Sequence, residues 1–154
     1  MTQDGLLRLR MERAFPVAPG VVFQALTDPV ELAKWWGPDG FSIPRGESDL
    51  RPGGAYRIEM QPPEGGSFFL TGEFLEVEPP ALLSYTFRWE DPDPEDRETI
   101  VVLELHGDGT GSTRLVFVQL GFATEGRLAL HDEGWTQGFD KLEGLLRARG
   151  PDAP

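Results

Sequence analysis

Only two imidazoles, His106 and His131, occur in the 154-residue sequence, and there is no cysteine. The missing thiol removes disulfide frameworks, thiolate metal sites and thiol nucleophiles together. Histidine is the side chain whose ordinary pKa lies nearest neutrality, so proton transfer near pH 7 falls first to these two. They do not form the Glu-centred helical pair of a zinc site, and no serine sits in a nucleophile elbow. The run Gly107-Asp108-Gly109-Thr110-Gly111 is glycine-rich, but it joins two extended segments. A phosphate cradle needs the amides of a helix amino terminus, so this run reads as a hairpin turn. Asp91, Asp93 and Glu95 alternate like the ligands of a calcium loop. However, Asp96 stands where glycine is required and Val102 where the bidentate glutamate is required, so the segment reads as a solvated acidic loop. Neither a metal nor another cofactor is expected from these patterns.

The remaining chemistry depends on residues placed by helical or strand periodicity. His131 recurs with Leu128, Trp135, Phe139, Leu142 and Leu146 at steps of three or four, which puts it on the apolar stripe of a helix. There it serves either as a core histidine or as a hydrogen-bonding partner of a guest molecule. Gln119 shares an inward face with Leu115 and Phe117, where it either contacts a ligand or bonds to the protein backbone. His106 shares the outward face with Glu104 and is expected to be solvated.

These positions require elements to hold them. Apolar Leu7, Leu9, Met11 and Phe15 alternate with Arg8, Arg10 and Glu12, the period of a half-buried strand. Pro19 opens a short amphipathic run through Leu26, and Asp28-Pro29 opens a second through Trp35, each with proline at the first helical position. Six further strands are expected at about 41–48, 54–61, 67–77, 82–89, 98–106 and 112–121, separated by Pro- and Gly-rich turns. Tyr56, Ile58 and Met60 share one face of their strand. Leu83, Tyr85, Phe87 and Trp89 do so too, as do Val101, Leu103 and Leu105. The strand at 67–77 is ambiguous, because Phe68, Leu70 and Phe74 compete with Phe69 and Leu75, and Gly72 is a candidate bulge. From about Thr124 a long helix runs to a stop at Gly150-Pro151, with Lys141, Arg147 and Arg149 near its carboxy terminus. No repeat or linker divides the chain, so a single α+β domain spanning 1–154, with its core at about 7–148 and order β-α-α-β(six)-α, is expected.

A curved seven-stranded antiparallel sheet with one apolar face must cover it, and the last helix is the only long element available. A helix is about 10 Å wide, whereas seven strands span about 30 Å. Incomplete coverage predicts a cavity between sheet and helix. Trp35, Trp36 and Phe41 are placed at its rim, beside the Gly37-Pro38-Asp39-Gly40 turn. Tyr85, Phe87, Trp89, Phe117, Trp135 and Phe139 are placed inside. Such a stripe also serves as plain core packing. The candidate ligand-binding set is Trp36, Phe41, Tyr56, Tyr85, Phe87, Phe117, Gln119, His131, Trp135 and Phe139, with no catalytic residue assigned.

Several segments together resemble a known family: Thr27-Asp28-Pro29, Leu32-Ala33-Lys34-Trp35-Trp36-Gly37-Pro38, Arg51-Pro52-Gly53-Gly54, Gly72-Glu73-Phe74-Leu75-Glu76-Val77 with Pro79-Pro80, and His131-Asp132-Glu133-Gly134-Trp135. The family is the activator of heat-shock-protein-ninety ATPase homologue-like family, of the START-like superfamily with the helix-grip fold of the birch-pollen allergens. The motifs run in order across roughly residues 7–148. The resemblance implies a helix-grip domain with a hydrophobic cavity under the carboxy-terminal helix. Members of the superfamily include lipid and hormone binders, polyketide cyclases and co-chaperone domains.

Charge narrows these options. The 26 acidic residues against 14 Lys and Arg give a net charge of −12, which opposes attraction to nucleic acid or an anionic membrane. Residues 1–20 carry Arg8, Arg10, Glu12 and Arg13 among apolar positions, and no stretch reaches the length of a membrane span, so a cytoplasmic protein is expected. The chain has no asparagine and 14 prolines, compatible with a heat-adapted or GC-rich source. The leading expectation is binding of a small hydrophobic molecule by a monomer or homodimer. One alternative is interaction with a chaperone or other protein, with a link to stress response. The other is cyclisation or hydrolysis in the same cavity, with His131 or Glu73 as acid or base.

Overall fold

The computed structural model describes residues 7–149. Period-two alternation buries Leu9 and Phe15 of β1 (Leu7–Phe15) and turns Arg8, Arg10 and Glu12 outward. Two short helices follow, α1 (Pro19–Thr27) and α2 (Pro29–Leu32), each with proline in its first turn. The Asp28 carboxylate accepts from the Val30 N–H at 2.9 Å and caps α2. The helix stops at Leu32, earlier than its amphipathic pattern suggested. A turn then carries Trp35 inward, where its indole N–H donates to the Ala25 carbonyl at 2.9 Å.

Strands β2 (Ser42–Ser48), β3 (Ala55–Gln61), β4 (Phe68–Glu78), β5 (Leu82–Trp89), β6 (Thr99–Gly107) and β7 (Thr113–Phe122) pair in sequence order, and β1 adds to β7. The result is a curved antiparallel sheet of order β1-β7-β6-β5-β4-β3-β2. In β4, Leu70 and Phe74 face the core and Leu75 faces solvent. Gly72 is not the bulge: the irregular register with β5 falls between Phe74 and Glu76. Glycine is required at 72 for another reason. The Tyr56 ring lies across that backbone to donate to the Thr86 carbonyl at 2.6 Å, and a Cβ there would collide with that Thr86 carbonyl oxygen and meet the Tyr56 hydroxyl at 2.7 Å.

The β6–β7 hairpin is tied by the Asp108 carboxylate, which accepts from the Thr110 and Ser112 N–H groups. Gly109 and Gly111 supply positive φ in this turn. His106 is exposed beside Glu104.

Helix α3 (Glu125–Arg149) crosses the concave face, its first turn closed by the Thr124 hydroxyl accepting from the Arg127 N–H at 3.1 Å. The expected stop at Gly150-Pro151 lies outside the described residues. Phe139, Leu142 and Leu146 are fully buried with Phe15, Leu115 and Phe117 in the core. Arg13 of β1 reaches Asp140 at 2.7 Å and Glu143 at 3.2 Å, fastening the sheet edge to the helix. Among the described residues no helix is long and apolar enough to cross a membrane.

Candidate functional site

The amino-terminal half of α3 stands off the sheet and leaves a cleft of about 350 Å³. That volume falls at the lower end of the range for small-molecule sites, about 300–1,000 Å³. The sheet side is built by Met60 of β3, Phe68 and Phe69 of β4, and Phe87 and Trp89 of β5. The turn after α2 supplies Trp36 and Phe41, and α3 supplies Leu130, His131 and Trp135. The rings brace one another edge to face: Trp36 on Trp135 at 5.1 Å, Phe41 on Phe68 at 6.0 Å, and Phe68 on Trp89 at 5.3 Å. Such pairs are worth roughly 0.5–1.5 kcal/mol beyond the area they bury, so each ring is held by its neighbours.

Two glycines keep the helix side open. Gly134 and Gly138, one turn apart on α3, both border the cleft and project no side chain into it. A Cβ added at either would sit 3.6 Å from Pro38 or from Trp35 and the Gly37 carbonyl, an ordinary contact. Sterics therefore do not force glycine at these positions, although glycine inside a helix costs about 1 kcal/mol relative to alanine. The neighbouring turn is held against α3 by the Asp39 N–H donating to the Gln137 side-chain carbonyl at 2.9 Å, and by Lys141 donating to the Pro38 carbonyl at 3.3 Å.

Of the sequence-derived set, Trp36, Phe41, Phe87, His131 and Trp135 border this cleft. Phe117, Gln119 and Phe139 do not. They are fully buried behind the wall, with the Phe117 ring tilted against Trp135 at 4.6 Å and Phe139 at 5.4 Å from it. Gln119 accepts from the Trp135 indole N–H at 2.8 Å and donates to the Thr99 hydroxyl at 2.8 Å. Its amide is used within the core, by side chains rather than by backbone, and it orients Trp135. Tyr56 and Tyr85 lie beyond Trp36 around a separate space of about 30 Å³. Burial raises both phenol pKa values, so each ring stays neutral. Trp35, placed at the rim by sequence, is buried and stacks on Phe139 at 5.9 Å, although one edge still reaches the cleft.

The mouth is polar. Asp91, Asp93 and Asp96 from the loop after β5 border it together with Arg127 of α3. Arg127 binds Asp96 at 2.6 Å through Nη2 and Asp93 at 3.5 Å through Nη1. Its Nε is buried and has no hydrogen-bond partner among the described residues. His131 Nδ1 lies 2.8 Å from the Arg127 carbonyl. A carbonyl only accepts, so Nδ1 carries the hydrogen and Nε2 carries the lone pair. Burial among Phe87, Trp89 and Phe122 lowers the imidazole pKa, only partly opposed by the Nδ1 hydrogen bond, so the ring is neutral at pH 7.

Glu73 is exposed on β4 and does not border the cleft, which removes it as an acid or base there. Among the described residues no group of three His, Asp or Glu side chains could hold a metal ion. Arg127, Leu130, Met60, Phe69, Gly134 and Gly138 border the cleft without having been singled out as site residues from sequence. The glycine pair inside a helical period was the available signal.

A curved seven-stranded antiparallel sheet closed by a long carboxy-terminal helix, with two short helices after the first strand, defines the START-like helix-grip class. Residues 16–147 match the family model described as Activator of Hsp90 ATPase homolog 1-like protein, and the chain belongs to that family. A crystal structure of a Nitrosomonas europaea protein is 34% identical, covers 92% of this chain and 95% of its own, and has a TM-score of 0.77. A Chromobacterium violaceum protein is 30% identical over 90% of this chain and 96% of its own, with a TM-score of 0.79. The AHSA1 protein of Silicibacter pomeroyi is 30% identical over 92% and 99%, with a TM-score of 0.80. No match was found among curated proteins.

Proposed function

We propose that this START-like chain binds a small hydrophobic molecule in the cleft between the sheet and the amino-terminal half of α3. The observation that carries the reading is an aromatic-walled space of about 350 Å³ bordered by two helical glycines that leave it open. Trp36, Phe41, Phe87 and Trp135 supply apolar contact, and His131 Nε2 is the acceptor available to a donor on the guest. Gln119, Phe117 and Phe139 act by holding Trp135 in place. Tyr56 and Tyr85 back Trp36 from the far side. The whole chain works as one domain without a cofactor, in the cytoplasm.

All four tryptophans, Trp35, Trp36, Trp89 and Trp135, border the cleft, so intrinsic fluorescence reports on its contents. Titration with fatty acids, flavonoids and sterols should change emission saturably for at least one class. The change should be lost in Gly134→Leu, which places a side chain in the space. Silence across the whole panel, together with no small molecule detected by native mass spectrometry after gentle purification, would overturn the reading.

The family match favours one alternative, a protein partner of the chaperone kind. A purified heat-shock ATPase whose turnover rises on addition of this chain, equally with wild type and Gly134→Leu, would replace ligand binding as the leading function.

A further inference from the structure

Resting on that reading, we infer that the cleft selects guests by charge, taking a hydrophobic ammonium ion in preference to a carboxylate with the same apolar body. The bordering ionisable groups are Asp91, Asp93 and Asp96 against Arg127, with His131 neutral. Three carboxylates and one guanidinium leave the mouth two charges negative.

Arg127, the one cation bordering the cleft among the described residues, has both terminal nitrogens paired, and its unpartnered Nε is buried. Asp96 holds Nη2 at 2.6 Å with only 8% of the Asp96 side chain exposed, and Asp93 adds a second contact at 3.5 Å. A guest carboxylate would meet this guanidinium in competition with Asp96 and Asp93 and beside their negative charge, and taking the place of Asp96 would leave a mostly buried carboxylate without its cation. Asp91 has no ion pair or hydrogen bond among the described residues, and Asp93 is 71% exposed. Asp91 is thus open to a cation at the mouth, and Asp93 can turn to one by giving up only its long contact with Arg127.

The walls favour the same sign. Aromatic rings attract ammonium groups through the negative quadrupole density of their faces, the walls of the cleft include Trp36, Phe68, Phe87, Trp89 and Trp135, and the neutral His131 offers a lone pair to an N–H donor. The net charge of −12 adds a long-range field in the same direction. Because Asp91 and Asp93 are exposed, solvent and salt screen their attraction, and a preference of about tenfold to a hundredfold is expected rather than an absolute one.

Three probes of matched size test this: 2-(1-naphthyl)ethylamine, 2-(1-naphthyl)ethanol and 1-naphthylacetate, titrated into the full chain by calorimetry at pH 7.5 and low salt. The expected order of affinity is amine, then alcohol, then carboxylate. The gap between amine and carboxylate should shrink at least threefold in 0.5 M NaCl and in Asp91→Asn/Asp93→Asn. Salt dependence on the wild type keeps the inference testable should the double variant fold poorly. Equal affinities, or a tighter carboxylate, would overturn charge selection while leaving the cleft a binding site. Silence from all three, the neutral alcohol included, would count against the binding reading itself and remove this inference with it.

Discussion

Helix α3 meets the sheet in two different ways along its length. Its carboxy-terminal half buries Phe139, Leu142 and Leu146 completely among Phe15, Leu115 and Phe117. Its amino-terminal half presents His131, Gly134 and a half-exposed Leu130, with Gly138 just past the midpoint, to rings that it does not fill. The two halves share one helix, one sheet and one apolar period. They differ in the side-chain volume delivered per turn. One half clamps the fold and the other borders space, so stability and binding should respond to different substitutions.

The sharpest test of that contrast lies in the clamped half. Leu142→Ala leaves a cavity that dense surroundings cannot close, with an expected loss of about 2–5 kcal/mol. At about 2–4 °C per kcal/mol for a chain of this size, thermal melting should fall by roughly 4–20 °C. Leu130→Ala, by contrast, should stay within about 0.5 kcal/mol, since that side chain is already half in solvent. Equal losses at the two positions would break the comparison.

At the wall between the halves, Gln119→Leu strands the Trp135 indole N–H and the Thr99 hydroxyl without their partner. Urea unfolding should show about 1–3 kcal/mol lost. Any cleft ligand should also bind more weakly, because Trp135 loses its orientation. A variant with full stability would show that the hydrogen-bonded chain does not support the wall.

In the open half, Gly134→Leu should leave stability unchanged or raise it by up to about 1 kcal/mol, since leucine is the better helix former. Binding should fall at least tenfold. A marked loss of stability on thermal denaturation would show that the space is already filled.

The smallest expected effect concerns pH. Burial holds the His131 pKa below its ordinary value of 6.5, so the unfolded chain binds the extra proton more readily. The stability this group contributes is complete above about pH 6.5 and is lost as pH falls below it toward the folded pKa. His131→Gln should flatten that part of the stability profile. An unchanged slope would mean that the imidazole is solvated in the folded state.

Fold and site were legible to different degrees. The alternation in β1, the prolines opening α1 and α2, and the Leu128-to-Leu146 stripe of α3 are local patterns, and each led to an element close to the observed one. In β4 the pattern was two-sided, and only pairing with β3 and β5 determined that Leu70 and Phe74 face inward and Leu75 outward. Gly72 carried a misleading signal, because its reason is the Thr86 carbonyl and the Tyr56 ring, both reaching it from other strands. Within the site, inward direction was readable for Phe117, Gln119 and Phe139, yet inward was not the same as bordering space.

Composition and periodicity by themselves determined the order of strands and helices, which side chains face the core in every strand but β2 and β4, the absence of thiol chemistry and the strong negative charge. Only the tertiary structure decided where that core is full and where it is open. Facing direction follows from the repeat of a single element, whereas unfilled volume is the difference between the space several elements enclose and the side chains they send into it. That difference depends on Trp36, Phe68, Phe87, Gly134 and Trp135 meeting from distant parts of the chain.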